Sequence, residues 1–207
     1  MCAANRDIHD HFFKLAKRQG FVARSAYKLL EIQEKKKIIH KGDRILDLGC
    51  APGAWLQVAC QCLGPVKAGG LIIGVDLKPV RKPSKYWDER IHTIQGDAFD
   101  EETIERILKH TGNKPLSVVL SDMMASTVGH QGTDHLRSVN IAREAFAIAQ
   151  RFLKEQGSFV VKVFEGAEYP DFLRECKESF AKVKGFSPKA SRRESTEMFI
   201  ICEGFHN

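Results

Sequence analysis

The sequence predicts an α/β domain: a mostly parallel sheet entered by two N-terminal helices and closed by an antiparallel edge strand. Three observations carry this expectation. Short apolar runs rich in β-branched residues alternate with amphipathic stretches, as in a parallel sheet covered by helices on both faces. The last two strand-like runs have no helix between them, so they must pair antiparallel. Ahead of the first strand lie two helical stretches broken at a glycine. With 207 residues, 43% of them hydrophobic, the chain can bury the core of one such domain.

Taken in order, His9–Gln19 and Arg24–Lys37 read as the leading helices, separated at Gly20. Arg44–Leu48, Leu71–Val75, Ile91–Ile94, Leu116–Ser121 and Ser158–Val163 read as the parallel strands. Ala54–Leu63, Glu101–His110, His135–Lys154 and Tyr169–Phe180 supply the helices between and after them. Ala181–Lys184 and Glu197–Glu203 form the closing hairpin. The chain thus divides into a basic helical appendage, residues 1–41, and a sheet domain, residues 42–207.

Charge points to a polyanionic partner. The formal net charge is +6. From Met1 to Lys41 there are ten Lys and Arg against four Asp and Glu, a local excess equal to that of the whole chain. A second basic stretch holds Lys182, Lys184, Lys189, Arg192 and Arg193 with no acid among them. A charge cluster is often only a solvated helix face, but two concentrations on a balanced body suit phosphate. Other classes are disfavoured. No apolar run nears the ~20 residues of a membrane span, and Met1–Asp10 lacks the apolar core of a secretory signal. Six scattered cysteines without a CxxC pair argue against a disulfide framework or a zinc site, and no other metal-ligand cluster stands out.

The strongest local motif is Asp47-Leu48-Gly49-Cys50-Ala51-Pro52-Gly53-Ala54-Trp55, where the first strand gives way to a helix. Ligands of such sheets bind outside the carboxyl ends of the strands, and Gly49 and Gly53 allow a tight turn and close backbone approach. Asp76 ends the second strand and Asp97 follows the third. An acid at the second strand end commonly accepts hydrogen bonds from ribose hydroxyls, although either acid could simply cap the next helix. Together the three strand ends describe a pocket for a nucleoside-bearing ligand, S-adenosylmethionine or NAD. Lys162 interrupts the apolar strand Phe159-Val160-Val161-Lys162-Val163-Phe164. Lys is rare in a doubly buried strand unless paired, and Asp122 stands at the equivalent end of the neighbouring strand. The pair is a candidate site, with a snorkelling surface lysine as the alternative.

Arg24-Ser25-Ala26-Tyr27-Lys28-Leu29, Asp47–Trp55, Ser121-Asp122-Met123, Val160-Val161-Lys162-Val163-Phe164 and Ser191-Arg192…Glu197 together resemble the FtsJ/RrmJ family of RNA ribose 2′-O-methyltransferases. The similarity runs in order over nearly the whole chain. It implies a Rossmann-like methyltransferase fold and S-adenosyl-L-methionine as cofactor. It also implies a catalytic Lys-Asp-Lys-Glu tetrad at Lys28, Asp122, Lys162 and Glu197, with cofactor contacts at Gly53, Trp55, Asp76, Asp97 and Asp122, to which the reading of the glycine turn adds Gly49; no metal is required. Where many relatives have Ala-Pro-Asn after Ser121-Asp122-Met123, this chain has Met124-Ala125-Ser126. The resemblance implies a target among a uridine of large-subunit ribosomal RNA, the tRNA anticodon loop and mRNA caps, of which the compact chain favours ribosomal RNA, with tRNA second. It also implies a monomer acting in the cytoplasm or an organelle; a non-catalytic RNA-binding module is the alternative of a different class. With no long basic extension before His9, RNA contacts are expected from the two leading helices. Lys162 is the implied general base, a role that needs a neutral amine; burial and a like charge from Lys28 favour that form and a neighbouring carboxylate opposes it, the alternative being that Lys162 orients the hydroxyl and stabilises the developing alkoxide.

Overall fold

The computed structural model of the chain describes residues 3–124, 129–191 and 196–206, without the side chains of residues 3–10 and Gln131. Two helices, α1 (Ala3–Gln19) and α2 (Ala26–Lys36), precede the sheet. Then come β1 (Arg44–Leu48), α3 (Ala54–Cys62), a 3-10 turn at Val66–Ala68, β2 (Leu71–Asp76), β3 (Ile91–Gln95), α4 (Glu101–Thr111) and β4 (Leu116–Ser121). The chain continues through α5 (Gln131–Phe152), β5 (Leu153–Phe164), α6 (Tyr169–Lys177), β6 (Phe180–Phe186) and β7 (Glu197–Phe205).

The seven strands lie in the order β3-β2-β1-β4-β5-β7-β6. Strands β1 to β5 pair in parallel, and β7 runs antiparallel to both β5 and β6, so the closing hairpin makes the antiparallel edge. Strand order reverses between β1 and β4. Their connections leave in opposite directions there and open a crevice at the carboxyl edge, the topological switch point where ligands of such sheets bind.

Both faces of the sheet are covered. One core joins Leu46, Leu48 and Ile73 to Ile104 and Ile107 of α4, Ala142 and Ala149 of α5 and Phe172 of α6. The other joins Ile45, Ile72 and Leu120 to Leu56 and Val58 of α3 and to Leu29 and Ile32 of α2. The leading helices therefore share a core with the sheet, and Ala16 and Phe21 are buried in it.

Several element ends differ from the sequence expectation. Helix α5 begins four residues earlier, where His130 caps it by accepting from Thr133 N–H. It stops at Phe152 because Leu153 is already extended, so β5 starts five residues early. That added stretch carries a register shift against β4 and a positive φ at Gln156, which hid it from a simple alternation test. Helix α6 ends three residues early, freeing Phe180 to begin β6. Of the second basic stretch, Arg192 and Arg193 lie outside the described residues, as do Ala125 and Ser126 after Met124. Cys50, Cys60, Cys62, Cys176 and Cys202 are free thiols, as the cysteine pattern implies. Among the described residues no helix is long and apolar enough to cross a membrane.

Candidate active site

A cleft of about 810 Å³ opens at the switch point. Its floor is the β1 and β4 ends, Gly49 and Ala51 on one side and Asp122 and Met123 on the other. Asp76 and Leu77 reach it from β2, Gly96 to Phe99 from β3, and Lys162 and Phe164 from β5. Lys28 of α2 and Glu197 of β7 close the far side.

The β1–α3 turn explains the glycines. Gly49 has φ +74, and a Cβ there would lie 2.7 Å from the Met123 side chain and 2.9 Å from its backbone nitrogen. Gly49 and Cys50 both donate backbone N–H to Val75 O. The Asp76 carboxylate ties the turn down further, accepting from Ala51 N–H at 2.9 Å and from Lys78 N–H at 2.8 Å. Asp97 accepts from Phe99 N–H at 3.0 Å. Both acids thus shape their own loops while facing the cleft, leaving further carboxylate lone pairs for a ligand. Gly53 and Trp55 are not on the cleft wall. Gly53, at φ 110, caps α3. Trp55 is buried behind the turn, its indole N–H donating to Ser25 O and its ring 5.6 Å from that of Phe199.

Two buried ion pairs face each other across the cleft. Lys162, only 8% exposed, donates from Nζ to Asp122 Oδ1 at 2.8 Å and to Asp122 O at 2.6 Å. Lys28, also 8% exposed, sits 2.7 and 2.8 Å from the two Glu197 carboxylate oxygens. Ser191 Oγ donates to Glu197 Oε1 at 2.7 Å. Burial alone would raise the Glu197 pKa, but the Lys28 charge and hydrogen bond, the Ser191 hydroxyl and the nearby Lys162 charge overcome it and hold the acid below its ordinary value.

Sequence reasoning missed Asp47 as a separate feature. It is fully buried, and neither carboxylate oxygen has a hydrogen-bond partner among the described residues. Burial pushes its pKa well up, and the charges of Asp122 and Asp76 push it the same way. The exposed apolar residues Leu77 and Phe99 were also missed; each stands one or two residues beyond a predicted acid, and that adjacency was the available signal. Among the described residues no group of His, Cys, Asp and Glu is arranged to hold a metal ion.

Comparison with known proteins fixes the family. The model of the FtsJ-like methyltransferases matches residues 21–205, nearly the whole described chain. The chain belongs to this family. A relative in Methanothrix thermoacetophila, named ribosomal RNA large subunit methyltransferase E, is 44% identical over 95% of the chain and 72% of its own length. A relative of the same name in Desulfatibacillum aliphaticivorans is 41% identical over 93% of the chain and 88% of its own length. The fold is likewise similar to a crystal structure described as a ribosomal RNA methyltransferase of Plasmodium falciparum, with a TM-score of 0.79 and 25% identity over 89% of the chain and 98% of that structure. The FtsJ-like chain is therefore a methyltransferase with a Rossmann-like fold.

Proposed function

We propose that the chain methylates a ribose 2′-hydroxyl of ribosomal RNA, a uridine of the large subunit being the first-choice target, with S-adenosylmethionine as methyl donor. The observation that carries this reading is the pairing of Lys162 with Asp122 opposite Lys28 with Glu197 on one cleft at the switch point. The names of the relatives support ribosomal RNA as substrate.

The cleft suits the cofactor. Its volume is that of a ligand pocket. Asp76 and Asp97 can accept from ribose hydroxyls, Leu77 and Phe99 offer apolar surface to a flat base, and the cleft's acids favour a cation. When bound there, S-adenosylmethionine supplies a methyl group activated on a sulfonium. The protein must then orient a weak nucleophile and receive its proton. Asp122 occupies two hydrogen-bonding positions of the Lys162 nitrogen. A neutral amine has two N–H groups, so the remaining lone pair on Nζ is left for the 2′-hydroxyl proton. Lys28, fixed by Glu197, sets the ribose in line; alignment of this kind is worth about 7–11 kcal/mol. A positioned base adds ~10²–10⁴-fold. Gly53 and Trp55 act by holding the β1–α3 turn and α2 together. The reading implies a monomeric enzyme in the compartment that holds its ribosomal RNA.

The test is methyl transfer from labelled S-adenosylmethionine to purified large-subunit ribosomal RNA and, side by side, to tRNA. Label on ribosomal RNA, recovered in dinucleotides resistant to alkaline cleavage, is the expected result. Transfer to tRNA alone would replace the substrate, and label on a base would refute ribose methylation.

A further inference from the structure

The connection from β2 to β3 carries Lys78, Arg81, Lys82 and Lys85 with no acid between Asp76 and Asp88. All four are exposed, and none takes part in an ion pair among the described residues. Like charges repel, so a short loop crowded with four cations is normally a loose one. This loop is instead pinned on several sides. Pro79 and Pro83 restrict its backbone. Val80 and Trp87 pack over Gly53, where a Cβ would come within 3.1 and 3.3 Å of them. Tyr86 packs at a tilt against Phe21 with ring centroids 5.2 Å apart, and Phe21 meets Tyr27 of α2 at 5.9 Å.

The decisive tie is Gln57, a fully buried amide in α3. Its nitrogen donates to Lys85 O at 2.9 Å and to Gly20 O at 3.0 Å, and its oxygen accepts from Val22 N–H at 2.9 Å. One side chain thus fastens the basic loop to the α1–α2 turn. The Lys85 side chain lies against Gly20, just past the last turn of α1 with its Lys17 and Arg18, and Lys78 at the other end of the loop lines the cleft. An ordered row of unpaired cations running to a cleft mouth is a footprint for a chain of phosphates.

We infer that the β2–β3 loop is an RNA-backbone track, with Arg81, Lys82 and Lys85 contacting phosphates and guiding the strand past Lys78 into the cleft. The inference rests on the proposed RNA substrate. An anionic membrane would attract the same charges, but it could not use the continuity with a recessed cleft, which favours a flexible polyanion.

The experiment measures binding of purified large-subunit ribosomal RNA between about 50 and 200 mM salt for the wild type, Arg81→Gln/Lys82→Gln/Lys85→Gln and the milder Arg81→Gln/Lys82→Gln. Losing three phosphate contacts should reduce the slope of log affinity against log salt by about 2–3, and losing two by about 1.5–2. The KM for RNA should rise about tenfold or more, while kcat at saturating RNA and affinity for S-adenosylmethionine stay unchanged. A wild type that binds and methylates RNA, with both variants showing its slope and KM, overturns the track alone. A wild type that neither binds nor methylates RNA overturns the proposed substrate and the track with it. Variants that lose binding to phosphatidylserine vesicles but keep RNA binding overturn it in favour of a membrane contact.

Discussion

Replacing Glu197 by Gln probes the less obvious of the two ion pairs. Glu197 and Lys28 are each about nine-tenths buried, and the carboxylate accepts from both Lys28 Nζ and Ser191 Oγ. Removing one partner of a buried pair strands the other charge and costs about 3–5 kcal/mol. Gln keeps an acceptor for one of the two donors, so the lower end, about 3 kcal/mol, is expected. In a chain of 207 residues each kcal/mol moves Tm by about 2–4 °C, which puts the variant about 6–12 °C below the wild type at neutral pH. The pH dependence follows from the sign of the shift. The folded Glu197 pKa lies below its unfolded value, so the pair's contribution is fully present above the ordinary carboxylate range. It is lost as pH falls through the lowered value, and the two proteins should converge in acid. Differential scanning calorimetry across this range is the assay, with single-turnover methyl transfer as its companion, because a misplaced Lys28 should slow transfer as well. Equal melting at neutral pH, or a gap that widens in acid, would refute the reasoning.

Two further perturbations test the fold beneath the site. Asp47 carries a pKa raised by burial and by its neighbours Asp122 and Asp76, so the folded state binds a proton that the unfolded chain lacks. Stability should fall as pH rises between the two pKa values, by up to about 1.4 kcal/mol per pH unit, and Asp47→Asn should be the more stable protein at neutral pH; urea unfolding at several pH values checks both. Arg90 is buried and donates to the carbonyls of Gly64 and Gly69 as well as to Asp88, whose pKa it holds down at about 2. Arg90→Ala should cost about 3–5 kcal/mol in the same assay, with Arg90→Lys recovering only part because an ammonium cannot span the same acceptors.

Legibility of the sequence tracked how local each signal was. The limits of β1 and β4 could be read directly, because short, mainly apolar segments bounded by Gly42-Asp43 and Gly49, and by Pro115 and Asp122, leave few other choices. The early start of β5 could not, since it depends on Leu153 leaving the helix and on an irregular pairing with β4. Lys162 announced itself as a charge inside an apolar strand. Lys28 did not. On a basic amphipathic helix it resembles any solvated lysine, and only the family resemblance singled it out before tertiary packing turned it toward Glu197. Trp55 is a different case: the family resemblance implies a cofactor contact, and the structure shows its indole N–H donating to Ser25 O behind the turn, a packing that no local pattern in the sequence reveals. The isolation of Asp47 and the anchoring of the Lys78–Lys85 loop both arise from contacts across tens of residues, and no spacing rule registers them.

The most direct test of the proposed chemistry is single-turnover methyl transfer by Lys162→Ala and Lys162→Arg, with S-adenosylmethionine affinity measured alongside by calorimetry. A base acts in the transition state, so its loss should lower the rate by ~10²–10⁴-fold with ground-state binding nearly unchanged. Arg keeps the positive charge but cannot become neutral, so Lys162→Arg should be as inactive as Lys162→Ala. An Arg variant that retains most of the wild-type rate would contradict the base role, and loss of cofactor binding in both variants would remove Lys162 from the chemistry altogether.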